Sequence, residues 1–512
     1  MKPNYVWSSI GKLLMIIGCC MLIPAIIGIF YREQEYQVFL ETALGTALVG
    51  ALLYVAKKPP TTQRSRTSLR DSYAIVAYGW IVATVFGMLP YLLTGTFDTV
   101  TDAFFETMSG LTTVGASVLD DIEGTAKCVL LWRSLTHWLG GMGILVLFVA
   151  LLTGQGTGAM QIFKAESSGP VKSKLQPKMV ETARILWLIY VANTILVILL
   201  YGLAGMNLFD AVNHGFSAIS TGGFSTKNLS IGYYDSAWID WVSIFSMFIA
   251  GINYSLYFYA FRTKSLRCFW QSLELRVYAG VTIGATVLVA WFIAPAYQYQ
   301  LPLVIQDAAF QVVSIITTTG FITCDFELWA APAQMVLILL LLCGACAGST
   351  TGGIKIDRHV ILMQKAVQEI RRFLHPNMVT RLKSNNKPLD EDVVLSVTTF
   401  FYIYMTLIVV GTYLLCMLGG EMLDSLTAVM SCLGGVGPSI GAWGPIESYS
   451  GASVLSKWIL SFLMMIGRLE IYTVLVLIRP FHGKWPNHSK KAVNHDFEED
   501  GVIEPLVRDY KW

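Results

Sequence analysis

The sequence predicts an all-α integral membrane protein in which four helix–pore-loop–helix repeats surround a central pore and follow an N-terminal two-helix hairpin. Three observations predict this class. The 512 residues are 54% hydrophobic and 14% charged, whereas soluble domains carry about 25% charged residues. Long apolar segments recur along the chain. Between them lie four glycine-centred loops, and each follows an apolar stretch that is too short to cross a bilayer.

The N-terminal hairpin is predicted over residues 1–65. Its first helix contains the apolar run 13–30, which is long enough to cross about 30 Å of hydrocarbon. Lys2 and Lys12 precede this run as in a signal peptide, but no small-residue cleavage site follows, so we interpret it as a retained helix. The second helix is expected over residues 38–56, before two lysines and two prolines.

Four repeats are predicted after the hairpin, each with a spanning helix, a short half-helix with its loop, and a second spanning helix. We expect them at residues 66–170, 171–267, 268–385 and 386–485, followed by a cytoplasmic tail at 486–512. The half-helices are expected at residues 101–111, 209–219, 305–317 and 423–433. The spanning pairs are expected at 72–93 and 128–152, 180–203 and 238–261, 273–293 and 332–355, and 392–418 and 454–479.

The glycine-centred loops contain small residues without ionisable side chains, so backbone carbonyls are the available ligands. Four such loops around one axis would form a carbonyl ring, which can replace the hydration shell of a potassium ion. The predicted filter residues are Thr112, Thr113, Val114, Gly115, Ser220, Thr221, Gly222, Thr318, Thr319, Gly320, Gly435, Val436 and Gly437. Potassium is expected at Thr113, Val114, Gly115, Thr221, Gly222, Thr319, Gly320, Val436 and Gly437. One such loop would more readily be explained by helix packing through small residues, but four favour a filter.

The charge pattern predicts the orientation. Basic residues cluster between the repeats, at residues 57–70, 164–178, 262–267, 355–387 and 479–491. Acidic residues follow the glycine loops instead, among them Asp120, Asp235, Asp325 and Glu447. The positive-inside rule therefore places both termini in the cytoplasm and the loop exits outside. The acidic residues form either ordinary solvated loops or a weakly cation-attracting vestibule.

A further glycine-rich segment interrupts the last predicted helix of the third repeat. It contains Gly344, Ala345, Gly348, Ser349, Thr350, Thr351, Gly352 and Gly353. Each interior glycine costs a helix about 1 kcal/mol relative to alanine, so the helix is expected to break here. A phosphate-binding loop is excluded because Ile354 follows, rather than a lysine and a hydroxyl residue. The segment is either a packing kink or an intramembrane loop.

Arg468 lies within the last predicted spanning helix. An intramembrane arginine is costly and usually faces the bundle interior or a cavity. Two other interpretations remain open from the residues alone: a local ion pair with Glu470, or a side chain that extends to the inner surface.

The chain resembles the Trk/Ktr/HKT superfamily of cation transporters at residues 104–116, 214–224 and 348–355. The resemblance covers nearly the whole chain and implies one filter glycine in each loop, here Gly115, Gly222, Gly320 and Gly437. Serine can replace the first of these in sodium-selective relatives, so Gly115 favours potassium. The resemblance also implies that residues 344–353 obstruct the pore and move to open it, and that Arg468 faces the ion path below the filter.

The resemblance further implies potassium uptake across the bacterial cytoplasmic membrane by a homodimer in contact with membrane lipid. Cytoplasmic regulators of the TrkA type would bind a nucleotide, while this chain would hold no cofactor and carry potassium as its substrate.

We expect no enzymatic activity, because neither a Walker motif nor a catalytic dyad is found, and the net charge of +2 gives no indication of nucleic-acid binding. The basic segments 164–178 and 355–387 are candidate docking surfaces or plain positive-inside bias. The alternative function is a secondary transporter coupled to protons or sodium.

Overall fold

The computed structural model describes residues 3–57, 69–143, 179–375, 382–384, 387–469 and 471. Within this part, six helices are long and apolar enough to cross a membrane, or seven if one bent pair is a single span. The predicted tail at 486–512 and the basic segment at 164–178 lie outside the described residues, as do Glu470 and the predicted helix ends at 144–152 and 472–479.

The N-terminal hairpin is formed by α1 (Pro3–Tyr31) and α2 (Tyr36–Ala56). The two helices approach closely at glycines on both sides. A Cβ on Gly11 would lie 2.6 Å from the carbonyl oxygen of Gly50, and a Cβ on Gly18 would lie 2.7 Å from that of Ala43. Small residues at such crossings let helices pack backbone to backbone in a lipid environment.

The first two repeats follow the predicted order of long helix, half-helix and returning helix. Repeat one contains α3 (Leu69–Gly87), α4 (Leu89–Leu93), the half-helix α5 (Val100–Thr112) and α6 (Lys127–Gly141). Repeat two contains α7 (Met179–Leu203), the half-helix α8 (Leu208–Ser220), α9 (Ala237–Ala250) and α10 (Tyr254–Thr263). The short helix α11 (Arg267–Gln271) connects to repeat three.

The last two repeats have the same order. Repeat three contains α12 (Leu273–Ile293), the half-helix α13 (Leu301–Ile316), α14 (Ala331–Leu341) and α15 (Ile356–Leu374). A two-stranded antiparallel hairpin, β1 (Lys383–Ser384) and β2 (Lys387–Pro388), precedes repeat four. Repeat four contains α16 (Glu391–Met417), the half-helix α17 (Met422–Gly434) and α18 (Val454–Arg468).

The prediction of a single helix over residues 238–261 is wrong in one respect, because the structure divides this segment into two helices. Its two parts, α9 and α10, meet at an angle of 85°. Asn253 caps the second part by accepting a hydrogen bond from the amide of Ser255 at 2.9 Å. The freed carbonyl of Gly251 accepts a hydrogen bond from the amide of Cys346 at 3.0 Å. The bend is thus stabilised by a segment almost a hundred residues away in the chain.

Two of the half-helices, α5 and α8, begin with side-chain caps. Thr99 accepts a hydrogen bond from the amide of Asp102, and Asn207 accepts one from the amide of Asp210. The carboxylates of Asp102 and Asp210 also lie in the first turn, where they complement the positive end of the helix dipole. At 13 to 16 residues the half-helices reach only about 20 to 24 Å, so each ends inside the protein.

Candidate functional site

The four half-helices end in the same backbone geometry. A residue in the left-handed conformation terminates each of them, and a glycine with positive φ follows two positions later. The left-handed residues are Thr113 (φ 57°), Thr221 (φ 55°), Thr318 (φ 54°) and Gly435 (φ 79°). The glycines are Gly115 (φ 83°), Gly223 (φ 86°), Gly320 (φ 80°) and Gly437 (φ 101°).

These glycines bring the four loops together in a ring. A Cβ on any of them would overlap the carbonyl oxygen of the middle residue in a neighbouring loop. The overlaps join Gly115 to the oxygen of Gly222, Gly223 to that of Thr319, Gly320 to that of Val436, and Gly437 to that of Val114. Each loop thus contacts the next, and the four middle carbonyls belong to one layer. A side chain at any of the four glycines would displace a carbonyl of this layer.

The predicted register of the second loop is wrong by one residue. Gly222 was expected to be the equivalent of Gly115, but Gly223 has the positive φ and the neighbouring carbonyl that define this position. Gly222 instead corresponds to Val114, and its missing side chain leaves room for His137. Two adjacent glycines fit the sequence pattern equally well, so the contact with the next loop is needed to identify the right one.

A cavity of about 280 Å³ opens beside the ring, on the side where the chain leaves the loops. It is lined by all four positive-φ glycines of the ring. Asp120 and Glu447, two of the acidic residues predicted for a vestibule, also line it, but so do Arg133 and Lys227. The charge of this vestibule is therefore mixed rather than simply acidic.

A non-helical segment contacts the opposite side of the ring. Residues 342–355, here called the inner loop, separate α14 from α15, so the predicted helix break is confirmed. The hydroxyl of Thr350 donates to the carbonyl of Ile219 at 3.1 Å, and the amide of Gly352 donates to the hydroxyl of Thr318 at 2.8 Å. A Cβ on Gly352 would overlap the carbonyl oxygen of Gly434. The inner loop thus contacts the ends of the second, third and fourth half-helices.

Glycines give the inner loop its shape. Gly348 and Gly353 have φ values of 70° and 65°. The amide of Gly344 donates to the carbonyl of Ile354 at 2.8 Å, and a Cβ on Gly344 would overlap the carbonyl oxygen of Gly352. The chain therefore folds back on itself at a spacing that excludes side chains.

Arg468 connects the inner loop to the first repeat. Its guanidinium donates to the carbonyl of Thr350 at 2.8 Å, to the hydroxyl of Thr113 at 3.2 Å, and to the carbonyls of Gly140 and Gly141 at the end of α6. The structure therefore places Arg468 directly at the inner end of the ring. The predicted alternative, an ion pair with Glu470, involves a residue outside the described part of the chain.

Sequence reasoning missed an ion pair behind the ring. Arg133 of α6 and Glu106 of α5 are 1% and 0% exposed, and Nε of Arg133 lies 2.8 Å from a carboxylate oxygen of Glu106. Two opposite charges within apolar segments were the available signal, because such residues are rarely buried without a partner. A second ion pair joins α18 to α5, where Nζ of Lys457 lies 2.6 Å from a carboxylate oxygen of Asp102.

Comparison with known proteins identifies relatives of the whole chain. The sequence profile of the TrkH family, described as a cation transport protein, matches residues 35–484. The chain is 36% identical over 476 residues to the Trk system potassium uptake protein TrkH of Escherichia coli K12, which covers 92% of this chain and 97% of that protein. It is 32% identical over 474 residues to TrkG of the same organism, with 92% and 96% covered.

A solved structure matches the fold as well. The crystal structure of the potassium transporter TrkH from Vibrio parahaemolyticus aligns with a TM-score of 0.85 and 32% identity, over 94% of this chain and 99% of that one. This match confirms the predicted class, an all-helical membrane protein with pore-loop repeats. The family match, the similarity to TrkH and TrkG and the shared fold agree, and the chain belongs to the TrkH family of cation transport proteins.

Proposed function

We propose that this chain mediates potassium uptake across the cytoplasmic membrane through a selectivity filter made of backbone carbonyls. The observation that carries the proposal is the closed ring of four loops, in which the carbonyls of Val114, Gly222, Thr319 and Val436 form one layer. Carbonyl oxygens in a ring can replace the water around potassium. The relatives named above as potassium uptake proteins support potassium as the substrate.

The half-helices add an electrostatic contribution to this filter. Each ends at the ring with its C-terminus, the negative end of its dipole. Four such ends around one site favour a cation without placing a fixed carboxylate in its path. A ligand set of backbone oxygens and dipoles fits a permeant ion that must enter and leave quickly.

The inner loop is proposed to act as the gate. It contacts three half-helix ends directly and the first through Arg468, so it lies across the inner end of the ring. Opening would require Thr350 and Gly352 to leave these partners. The positive charge of Arg468 would also raise the barrier for a cation that leaves the filter.

Regulation is proposed to come from partners. The relatives belong to a system by name, and this supports assembly with other subunits. We propose a homodimer in the bacterial inner membrane with both termini in the cytoplasm, controlled there by nucleotide-binding subunits of the TrkA type. The basic helix α15, with Arg371 and Arg372 in its last turn, lies in one of the two predicted docking segments.

The second candidate is a transporter that couples potassium to protons or sodium. The observation that favours it is the bend between α9 and α10 together with the break between α14 and α15, because discontinuous helices are typical of coupled transporters. The ring residues themselves offer backbone oxygens and hydroxyls rather than titratable side chains, so we rank this candidate second.

A flux assay with this chain alone tests the proposal. The full-length protein is reconstituted in liposomes, and potassium, rubidium, sodium and lithium fluxes are compared under an imposed voltage. We expect potassium and rubidium to permeate and sodium and lithium to be excluded. Equal permeation of all four ions would contradict a potassium filter, and transport that stops without a second ion gradient would favour the coupled mechanism.

A further inference from the structure

We propose that the buried ion pair of Arg133 and Glu106 is a specificity-determining brace that fixes the spacing of the first two filter loops. The inference rests on the proposed function, because it assigns the pair a role in ion selectivity. Neither residue contacts the ion in this proposal. Both act by positioning the backbone that carries the carbonyl ring.

The first step is a pattern shared by the repeats. The half-helix carries a polar side chain seven positions before the left-handed residue. This side chain contacts the segment that directly follows its own loop. Glu106 accepts hydrogen bonds from the amide of Val118 at 2.9 Å and from the hydroxyl of Ser117. His214 contacts the hydroxyl of Ser225 at 2.9 Å. Each of these loops is thus attached to its own half-helix.

The third and fourth repeats vary this pattern. Gln311 donates to the hydroxyl of Thr323 at 3.2 Å. The equivalent position in repeat four is Ala428, and its neighbour Thr427 takes the role by accepting a hydrogen bond from the amide of Ile440 at 3.3 Å. An attachment of loop to half-helix is therefore present in all four repeats, but its chemistry differs in each.

The second step is a set of links between different loops, here called the outer collar. Arg133 donates to the carbonyl of Ser225 at 3.2 Å and so joins the first repeat to the second loop. The other three links are the amide of Gly232 to the carbonyl of Ile322 at 3.1 Å, the amide of Gly441 to the carboxylate of Glu327 at 2.6 Å, and the amide of Tyr449 to the carbonyl of Ser117 at 2.9 Å. Together the four links close a circle around the outer end of the ring.

The third step is the position of Arg133 at the crossing of both patterns. Its Nε binds Glu106, its Nη2 donates to the hydroxyl of Ser117 at 3.1 Å, and its Nη1 reaches the second loop. The guanidinium also stacks on Phe224, with 4.2 Å between its carbon and the ring centroid. A planar fork with several donors can hold two loops at a fixed distance, which the single ammonium of a lysine cannot do.

Energetics favour a geometric role over a stabilising one. A buried ion pair gains little over a well-packed apolar pair, because both charges lose their hydration. Separation of the partners would leave two buried charges unpaired, so the two side chains stay together. The pair therefore provides a fixed geometry. In the size-fit description of carbonyl filters, discrimination between potassium and sodium depends on how firmly the carbonyl ring keeps its dimensions. A loosened brace should therefore lower selectivity before it lowers conduction.

The test compares acid-to-amide changes on one half-helix. Glu106→Gln neutralises the brace, and Asp102→Asn neutralises the other ion pair of α5, which does not contact a filter loop. The full-length variants are reconstituted in liposomes, and the potassium-to-sodium permeability ratio is measured from reversal potentials. We expect Glu106→Gln to lower the ratio about tenfold, the change that about 1.4 kcal/mol produces, and Asp102→Asn to leave it unchanged.

Arg133→Lys is the second variant, because it keeps both charges and so protects folding. It should also lower the ratio, since lysine cannot hold both loops. A wild-type ratio in the folded fraction of Glu106→Gln and Arg133→Lys would overturn the brace, whatever their yield. Gly115→Ser is measured in parallel to test the filter assignment separately from the brace. If Gly115→Ser leaves the ratio unchanged, the filter assignment itself fails. If Gly115→Ser lowers the ratio and the two brace variants do not, only the brace is rejected.

Discussion

Single residues of the ring are constrained by backbone geometry rather than by side-chain chemistry. Gly115 has a φ of 83° and faces the carbonyl oxygen of Gly222 without space for a Cβ. A side chain here meets two penalties, since it clashes with the carbonyl and the left-handed conformation costs about 1–2 kcal/mol for residues other than glycine. Substitution should therefore distort the ring without removing a ligand.

Gly115→Ser should lower the potassium-to-sodium permeability ratio while the protein still assembles. The serine Cβ must displace the Gly222 carbonyl, which widens or tilts one quarter of the ring. Reversal potentials in liposomes measure the ratio, and size-exclusion chromatography of the detergent-solubilised protein checks assembly. An unchanged ratio at normal yield would argue against Gly115 as a filter residue. Gly223→Ser should act in the same way, as expected from the corrected register.

Arg468 is held by the protein rather than exposed in an open path. Its guanidinium donates hydrogen bonds to the inner loop, to Thr113 and to the end of α6. Two effects on transport are expected if the ion path is as proposed. The charge would repel a cation by about 4 kcal/mol at 4 Å with an effective dielectric constant near 20, and the hydrogen bonds would hold the proposed gate against the half-helix ends.

Arg468→Ala should raise potassium flux per folded protein, because both effects are lost. Arg468→Lys separates them, since it keeps the charge but not the fork of donors. Flux is measured with each variant reconstituted at equal protein density. Higher flux in both variants would assign the effect to the lost hydrogen bonds, and higher flux in the alanine variant alone would assign it to the charge. A low yield with unchanged unit flux would show that Arg468 is purely structural.

At the scale of elements, local patterns predicted the half-helices well. Capping residues and left-handed residues mark their ends, so α5 and α8 each begin and end within one residue of the prediction. The bend between α9 and α10 was missed because it depends on distant partners. Gly251 alone does not break a helix. The amide of Cys346 donates to the carbonyl of Gly251, the amide of Tyr254 donates to the carbonyl of Gly348, and both hydrogen bonds stabilise the bend.

The same distinction explains which parts of the candidate site were found. The glycine density of the inner loop predicted a break from local sequence, whereas the pairing of Glu106 with Arg133 required knowledge of which helices pack together. The one-residue error at Gly222 has a similar cause. Two adjacent glycines are equivalent in composition, and only the contact with Thr319 of the next loop distinguishes Gly223.

Deletion within residues 344–353 should raise basal potassium flux. The inner loop contacts the half-helix ends through Thr350 and Gly352, and removal of this proposed gate should open the inner end of the ring. Flux is compared with that of the intact protein in liposomes under the same voltage. The potassium-to-sodium ratio serves as the internal control and should stay unchanged, because the ring remains. A folded deletion variant with wild-type or lower flux would show that the inner loop is no obstruction.

At the scale of the whole molecule, four dissimilar repeats produce one nearly symmetrical site. The ring positions are equivalent in φ and in neighbouring carbonyl, yet the attachments behind them use Glu106, His214, Gln311 and Thr427. The symmetry is therefore kept in the ring, where the ion is proposed to bind, and is lost in the side chains that attach each loop to its half-helix. A single chain can vary one repeat independently, which a tetramer of identical subunits cannot do.

The backbone character of the ring leads to a prediction for the whole transport cycle. If the permeant ion meets carbonyls and helix dipoles, no proton needs to bind and leave for potassium to pass. We expect the potassium reversal potential in liposomes to follow the potassium gradient alone and to stay constant when a pH gradient or a sodium gradient is imposed. A shift with the pH gradient, or a shift with the sodium gradient larger than the measured potassium-to-sodium permeability ratio produces, would show coupling, and the bent helices around the site would then be the elements to test as a moving unit.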